Sequence, residues 1–147
     1  MRLKPQTYAL TAVTHDRIRL FQRTTNAEIL LSTLFRHREQ NRYLLHGFVI
    51  MPDHLHVLLT PSESIEKSAQ LIKGGFSFAI RHQYKGEIWQ DGFHEHRVRD
   101  LEDFNNQLLY IINNPARKGF EGYPFVHTAF QDKLDPPSPH FSAVTGR

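Results

Sequence analysis

The chain has 147 residues, of which 39% are hydrophobic, with a formal net charge of +3 and a pI near 9.3. That length predicts one domain with a sizeable core, and the charge permits a polyanionic partner without demanding one. The absence of cysteine excludes disulfides and thiolate metal sites; no apolar run reaches membrane-spanning length or resembles a signal peptide, so a cytoplasmic location is the expectation.

In chain order, residues 8–14 (YALTAVT) alternate in part and follow Pro5, which predicts an opening strand. Asn26 is placed to cap a helix running to about Gln40, with Ile29, Leu30, Leu34 and Phe35 near helical spacing. Two apolar runs, 48–51 and 57–59, flank Pro52-Asp53 and read as strands around a turn, because proline presets the turn and aspartate bonds its own backbone there.

Ser62 or Ser64 caps the next predicted helix, whose core face is Ile65, Ala69, Ile72, Phe76 and Ile80 and whose end is Lys85-Gly86. The Gly74-Gly75 pair inside it implies a kink or a close backbone approach. Residues 88–90 and 93–99 read as an interrupted fourth strand. A third helix follows from Asp100 or Asp103 through Phe104, Leu108, Ile111 and Ile112, stopped by Pro115. The expected fold is α+β: a ferredoxin-like βαββαβ core, its antiparallel sheet covered by helices on one face, plus a C-terminal helix. Residues 1–131 form the single expected domain, and 132–147, with Asp135-Pro-Pro-Ser-Pro, a flexible tail.

His54 and His56 head the second strand of the hairpin. Side chains two apart point to one face, about 7 Å from each other along the strand, so the pair could hold a divalent ion. The competing reading is a polar pair on a solvated face. His94-Glu95-His96 has the same spacing, but the first pair sits in apolar surroundings where an unpartnered imidazole costs more. Glu95 or His96 could add a ligand from a neighbouring strand. On the last helix, Tyr110 lies about 200° from Leu108, on a polar stripe with Asn114 one turn below. The helix therefore shows a phenol and an amide side by side, unless Tyr110 is a plain surface residue beside a terminating Asn-Pro.

Four segments carry a resemblance in order: MPDHLHVLL from Met51, LIKGGFSF from Leu71, IWQDGFHEHRVRD from Ile88 and YIINNPARKG from Tyr110. They resemble the REP-associated tyrosine transposases of the single-tyrosine HUH (His-hydrophobic-His) superfamily, over about residues 7–130. The resemblance implies that His54 and His56 bind Mg²⁺ or Mn²⁺, that Tyr110 is the nucleophile, and that Asn114 helps complete the metal site. It implies cleavage and rejoining of single-stranded, hairpin-bearing DNA through a 5′-phosphotyrosine, by a monomer or a homodimer. Lys73, Arg81, Arg97, Arg99, Arg117 and Lys118 are the candidate phosphate contacts, and Trp89 and Phe93 candidate base stackers, with core burial the rival for Trp89. The alternatives are a non-cleaving DNA-binding descendant and a metal-dependent phosphodiester hydrolase indifferent to Tyr110.

Overall fold

The computed structural model describes residues 5–119 and 125–137, apart from the side chain of Arg117. Its elements are β1 (Thr7–Val13), α1 (Thr24–Glu39), β2 (Tyr43–Met51), β3 (His54–Pro61), α2 (Ile65–Ala79), β4 (His94–Val98) and α3 (Leu101–Arg117). The strands form one antiparallel sheet in the order β2-β3-β1-β4, the ferredoxin-like arrangement. β3 lies inside the sheet, paired on both sides, and this is why its residues read as an almost unbroken apolar run.

Strand alternation divides the core in two. Leu10, Ala12, Phe48, Ile50, Leu55 and Val57 face α1 and α2, where they meet Leu30, Leu34, Ile72 and Phe76. Val49, Met51, Leu58 and Val98 face the other way and meet Phe104 and Ile111 of α3. The third helix thus covers the second face of the sheet, so both faces are dressed rather than the one expected.

Local chemistry accounts for the helix limits. Ser64 Oγ accepts the Lys67 N–H at 3.1 Å and caps α2. Gly75 is the close approach: a Cβ there would stand 2.9 Å from Thr33 Cγ2 of α1, whereas Gly74 faces open space. α2 runs through the pair without a break but ends at Ala79, before the expected Lys85-Gly86; past the C-cap Ile80 the chain makes one further turn, with the Gln83 and Tyr84 N–H groups both on the Ile80 carbonyl. Asn26 caps nothing; Arg23 is the N-cap of α1, and the Asn26 amide donates to the Leu20 carbonyl. Asp100 caps α3, accepting the Asp103 N–H at 2.8 Å. Pro115 does not stop that helix, which continues to Arg117, since proline in a final turn forfeits only one hydrogen bond.

After α3 the chain returns along the outer edge of β2. Ile50 N–H donates to the Phe125 carbonyl at 2.9 Å, and the Asp135 N–H donates to the Leu45 carbonyl at 2.7 Å while the Asp135 carboxylate accepts the Leu45 N–H at 2.8 Å. Arg38 clamps that carboxylate through Nε and Nη2, both at 3.1 Å. Within the expected tail from 132, Asp135 is thus bonded to β2 and to Arg38; residues 138–147 lie outside the described part. Edge strands need such cover, because their unpaired amides invite other strands.

Candidate active site

The hairpin turn places the histidines. Pro52-Asp53 joins Met51 directly to its cross-strand partner His54, and the turn is tied down by Phe21 N–H on the Pro52 carbonyl and Thr14 N–H on the Asp53 carbonyl. His54 and His56 share the parity of Leu58, so both emerge on the α3 side. Their rings meet edge to face with centroids 4.8 Å apart. His54 Nδ1–H donates to Asp53 Oδ1 at 2.7 Å, which leaves the lone pair on Nε2. His56 Nδ1 shares a 2.7 Å hydrogen bond with Thr11 Oγ1, its cross-strand partner. Burial depresses the basicity of His54 below the ordinary histidine value and outweighs the opposing pull of Asp53, so the ring is neutral at pH 7. Neutral imidazole is what a metal ligand requires.

α3 supplies the other wall. The Tyr110 ring stands edge-on to His56, with centroids 5.4 Å apart, and is 46% exposed. One turn on, Asn114 is 2% exposed, and its Oδ1 has no hydrogen-bond partner among the described residues. Leaving a buried carbonyl oxygen unmet costs about 1–3 kcal/mol, so its retention calls for a reason. His54, His56, Tyr110 and Asn114 line one cleft, to which Arg17 and Lys118 bring cations and His94 a third imidazole. An orphaned amide oxygen beside two imidazoles, one of them with its Nε2 lone pair fixed, fits a divalent cation with positions left for phosphate oxygens.

Comparison with known proteins decides the family. The sequence profile described as "Transposase IS200 like" matches residues 3–114. The chain belongs to the IS200-like transposase family. It is 26% identical over 100 residues to the REP-associated tyrosine transposase of Escherichia coli K12, covering 66% of this chain and 59% of that one. A Haemophilus influenzae protein provisionally assigned to the same group is 33% identical over 85 residues, 48% of each chain. The chain thus spans only about half to three-fifths of the length of these relatives. Its fold is that of a REP-associated tyrosine transposase solved bound to a REP hairpin, with TM-score 0.75, 23% identity, and 92% of this chain and 86% of that chain covered. A Deinococcus radiodurans protein provisionally described as a transposase is more distant, at TM-score 0.55 and 24% identity, over 77% of this chain and 92% of the other.

In this family member the expected site residues separate. His54, His56, Tyr110 and Asn114 come together, although Asn114 is buried rather than on a solvated stripe. Glu95 and His96 do not join them. Glu95 pairs with Leu10 and so takes the opposite face of the sheet, while His96 Nε2 is bonded to both carboxylate oxygens of Asp103, at 3.0 and 2.9 Å. Among the described residues no group of three His, Asp or Glu side chains forms a cation site. Of the six expected phosphate contacts, Lys118 lines the cleft. Lys73 is spent on the Gln90 and Gly92 carbonyls, at 3.1 and 2.7 Å. Arg81 lies at the end of α2, Arg97 shares the face of Glu95, and Arg99 follows β4 with its N–H on Asp103; the Arg117 side chain is outside the described part.

Trp89 is core, packed on Phe21 and Phe76 with Nε1–H on the Lys73 carbonyl, and Phe93 is half-buried against the same core. The sequence reading gives Asp53 only as a turn residue and His94 only as part of the rival pair, and it does not single out Thr11 or Arg17. Asp53 could have been found as the neighbour able to fix the His54 tautomer. Thr11 and His94 needed the strand register, and Arg17 needed the packing of the turn after β1 against Asp53.

Proposed function

We propose that the chain is a metal-dependent transposase of single-stranded DNA, which cuts and rejoins a hairpin-bearing strand through Tyr110. The observation that carries this reading is the buried, unpartnered Asn114 oxygen one turn below an accessible tyrosine and beside two imidazoles. A structural surface tyrosine explains neither the orphaned oxygen nor the two fixed histidine rings. The solved relative is bound to a REP hairpin, and a hairpin of that kind is the proposed substrate.

His54, His56 and Asn114 would hold Mg²⁺ or Mn²⁺, which supplies charge neutralisation at the scissile phosphate when bound. The Tyr110 oxygen, once its proton has passed to solvent, attacks phosphorus. The bond to the 3′ oxygen breaks, that oxygen takes up a proton, and a 5′-phosphotyrosine remains. A 3′-hydroxyl from another strand then attacks the same phosphorus and returns Tyr110 to the free phenol. Phosphodiester energy is conserved in the tyrosyl bond, so no nucleotide is consumed. Asp53 and Thr11 orient the imidazoles, and Arg17 and Lys118 offer charge to the incoming backbone.

The test is covalent capture: purified protein, Mn²⁺ or Mg²⁺, and labelled single-stranded hairpins with randomised flanks, resolved on a denaturing gel. The expected result is an adduct that survives denaturation, disappears with EDTA and is lost in Tyr110→Phe. Cleavage without an adduct, unchanged in Tyr110→Phe, overturns the mechanism in favour of a hydrolase. Binding without cleavage or adduct marks a non-cleaving descendant.

A further inference from the structure

α2 carries the most exposed of the large hydrophobic side chains among the described residues, and the chemistry of the site makes no use of it. Phe78 is 66% exposed. Two residues past the core residue Phe76, it points about 200° away, out of the protein. The ring is not loose. The Arg81 guanidinium lies over it at 3.7 Å from its centroid, and Arg81 Nη1 donates to the Phe78 carbonyl at 2.6 Å, so an aromatic face is held ready.

The space beside it is open. Gly74 lies one turn before Phe78 on the same outward side of α2. A Cβ at Gly74 would meet no atom within 4 Å, in contrast to Gly75, where α1 is in the way. The segment of chain that carries Phe78 is basic in sequence. Between Glu66 and Glu87 the sequence places Lys67, Lys73, Arg81 and Lys85 and no acidic residue. Lys73, one residue before Gly74, reaches from α2 to the carbonyl of Gln90, and Gln90 lines the cleft with His54 and Tyr110 on the other face of the sheet.

We propose that Phe78, backed by Arg81 and with open space at Gly74 one turn away, is a stacking site for an unpaired nucleobase of the DNA strand whose backbone runs toward the cleft. An aromatic face with flanking cations is the pairing that single-stranded nucleic acid uses, since every base has a π-face and every linkage a negative charge. This inference rests on the transposase reading and deepens it by locating part of the grip on DNA away from the cut.

The experiment is a fluorescence-anisotropy titration of the full chain, in EDTA so that no strand is cut. One DNA hairpin carries single-stranded flanks containing 2-aminopurine, and a second is blunt. The parent binds the flanked hairpin more tightly and quenches the 2-aminopurine. Phe78→Ala loses at least about 5-fold of that affinity together with the quenching, whereas Phe78→Trp retains both. Gly74→Leu, a good helix former that fills the open space, reproduces the loss, while binding of the blunt hairpin stays at the parental level in each variant. Parental affinity and quenching in Phe78→Ala overturn the stacking site and leave the transposase reading standing. Absence of DNA binding by the parent removes both.

Discussion

At the scale of single residues, the site depends on side chains that hold other side chains. Asp53 bonds two partners through different oxygens, His54 Nδ1 at Oδ1 and Arg17 Nη1 at Oδ2. Only the first bond fixes a tautomer. Asp53→Ala is therefore expected to weaken Mn²⁺ binding by about 10–100-fold, the usual effect of losing a residue that orients a metal ligand. Arg17→Ala, which removes only the second bond, should leave Mn²⁺ affinity near that of the parent; calorimetric titration of both separates orientation from charge. Equal losses in the two variants would sink the assignment. Asn114 teaches the converse lesson. Its place on the polar stripe one turn from Tyr110 predicts a solvated side chain, yet it is buried with an unmet oxygen. Sequence patterning prices such a residue as surface, and functional sites are where that rule fails.

At the scale of elements, the two adjacent glycines of α2 have opposite prices. Ala at position 75 pushes a methyl group into Thr33, a buried β-branched side chain fixed by its own bond to the Ile29 carbonyl. Gly75→Ala should cost about 1–3 kcal/mol in urea denaturation, the range for overpacking. Gly74→Ala, facing open space, should gain up to ~1 kcal/mol from helix propensity alone. The two would behave alike if the pair were merely a flexible joint. The amphipathic face of α2 and the hairpin were legible because period and turn chemistry are local. That α3 would cover the second face of the sheet was not, nor that Thr11 would meet His56 while Glu95 faced away. Those facts depend on register and packing, which alternation leaves open, since it separates two faces without saying what covers either.

At the scale of the molecule, the return of the chain along β2 is sealed by buried polar groups. Thr7, Thr60, His46 and the Asp135 carbonyl form one relay, with His46 Nδ1–H donating to that carbonyl at 2.9 Å and Nε2 facing Thr60 Oγ1 at 2.8 Å. Burial lowers the proton affinity of His46, and also that of His127, which is bonded to the backbone of Phe48. Burial raises the Asp135 carboxyl, but Arg38 and the Leu45 N–H more than offset this and hold it below the usual range. The signs agree. Below about pH 6.5 the unfolded chain takes up histidine protons that the folded chain refuses, and below about pH 4 the same holds for Asp135. Stability should therefore fall as the pH is lowered from 7, through both windows, when urea midpoints are measured across pH. A flat profile between pH 7 and 5 would contradict the buried neutral histidines. The same seal bears on how copies of the chain could trade parts. α3 is fastened at its start by Asp100 and Asp103, and beyond its end by the bonds of Phe125 and Asp135 to β2. Swapping the tyrosine helix between two subunits would demand more than a bend in a linker: it would first have to unzip the edge of the sheet, and mild acid is the condition that loosens it.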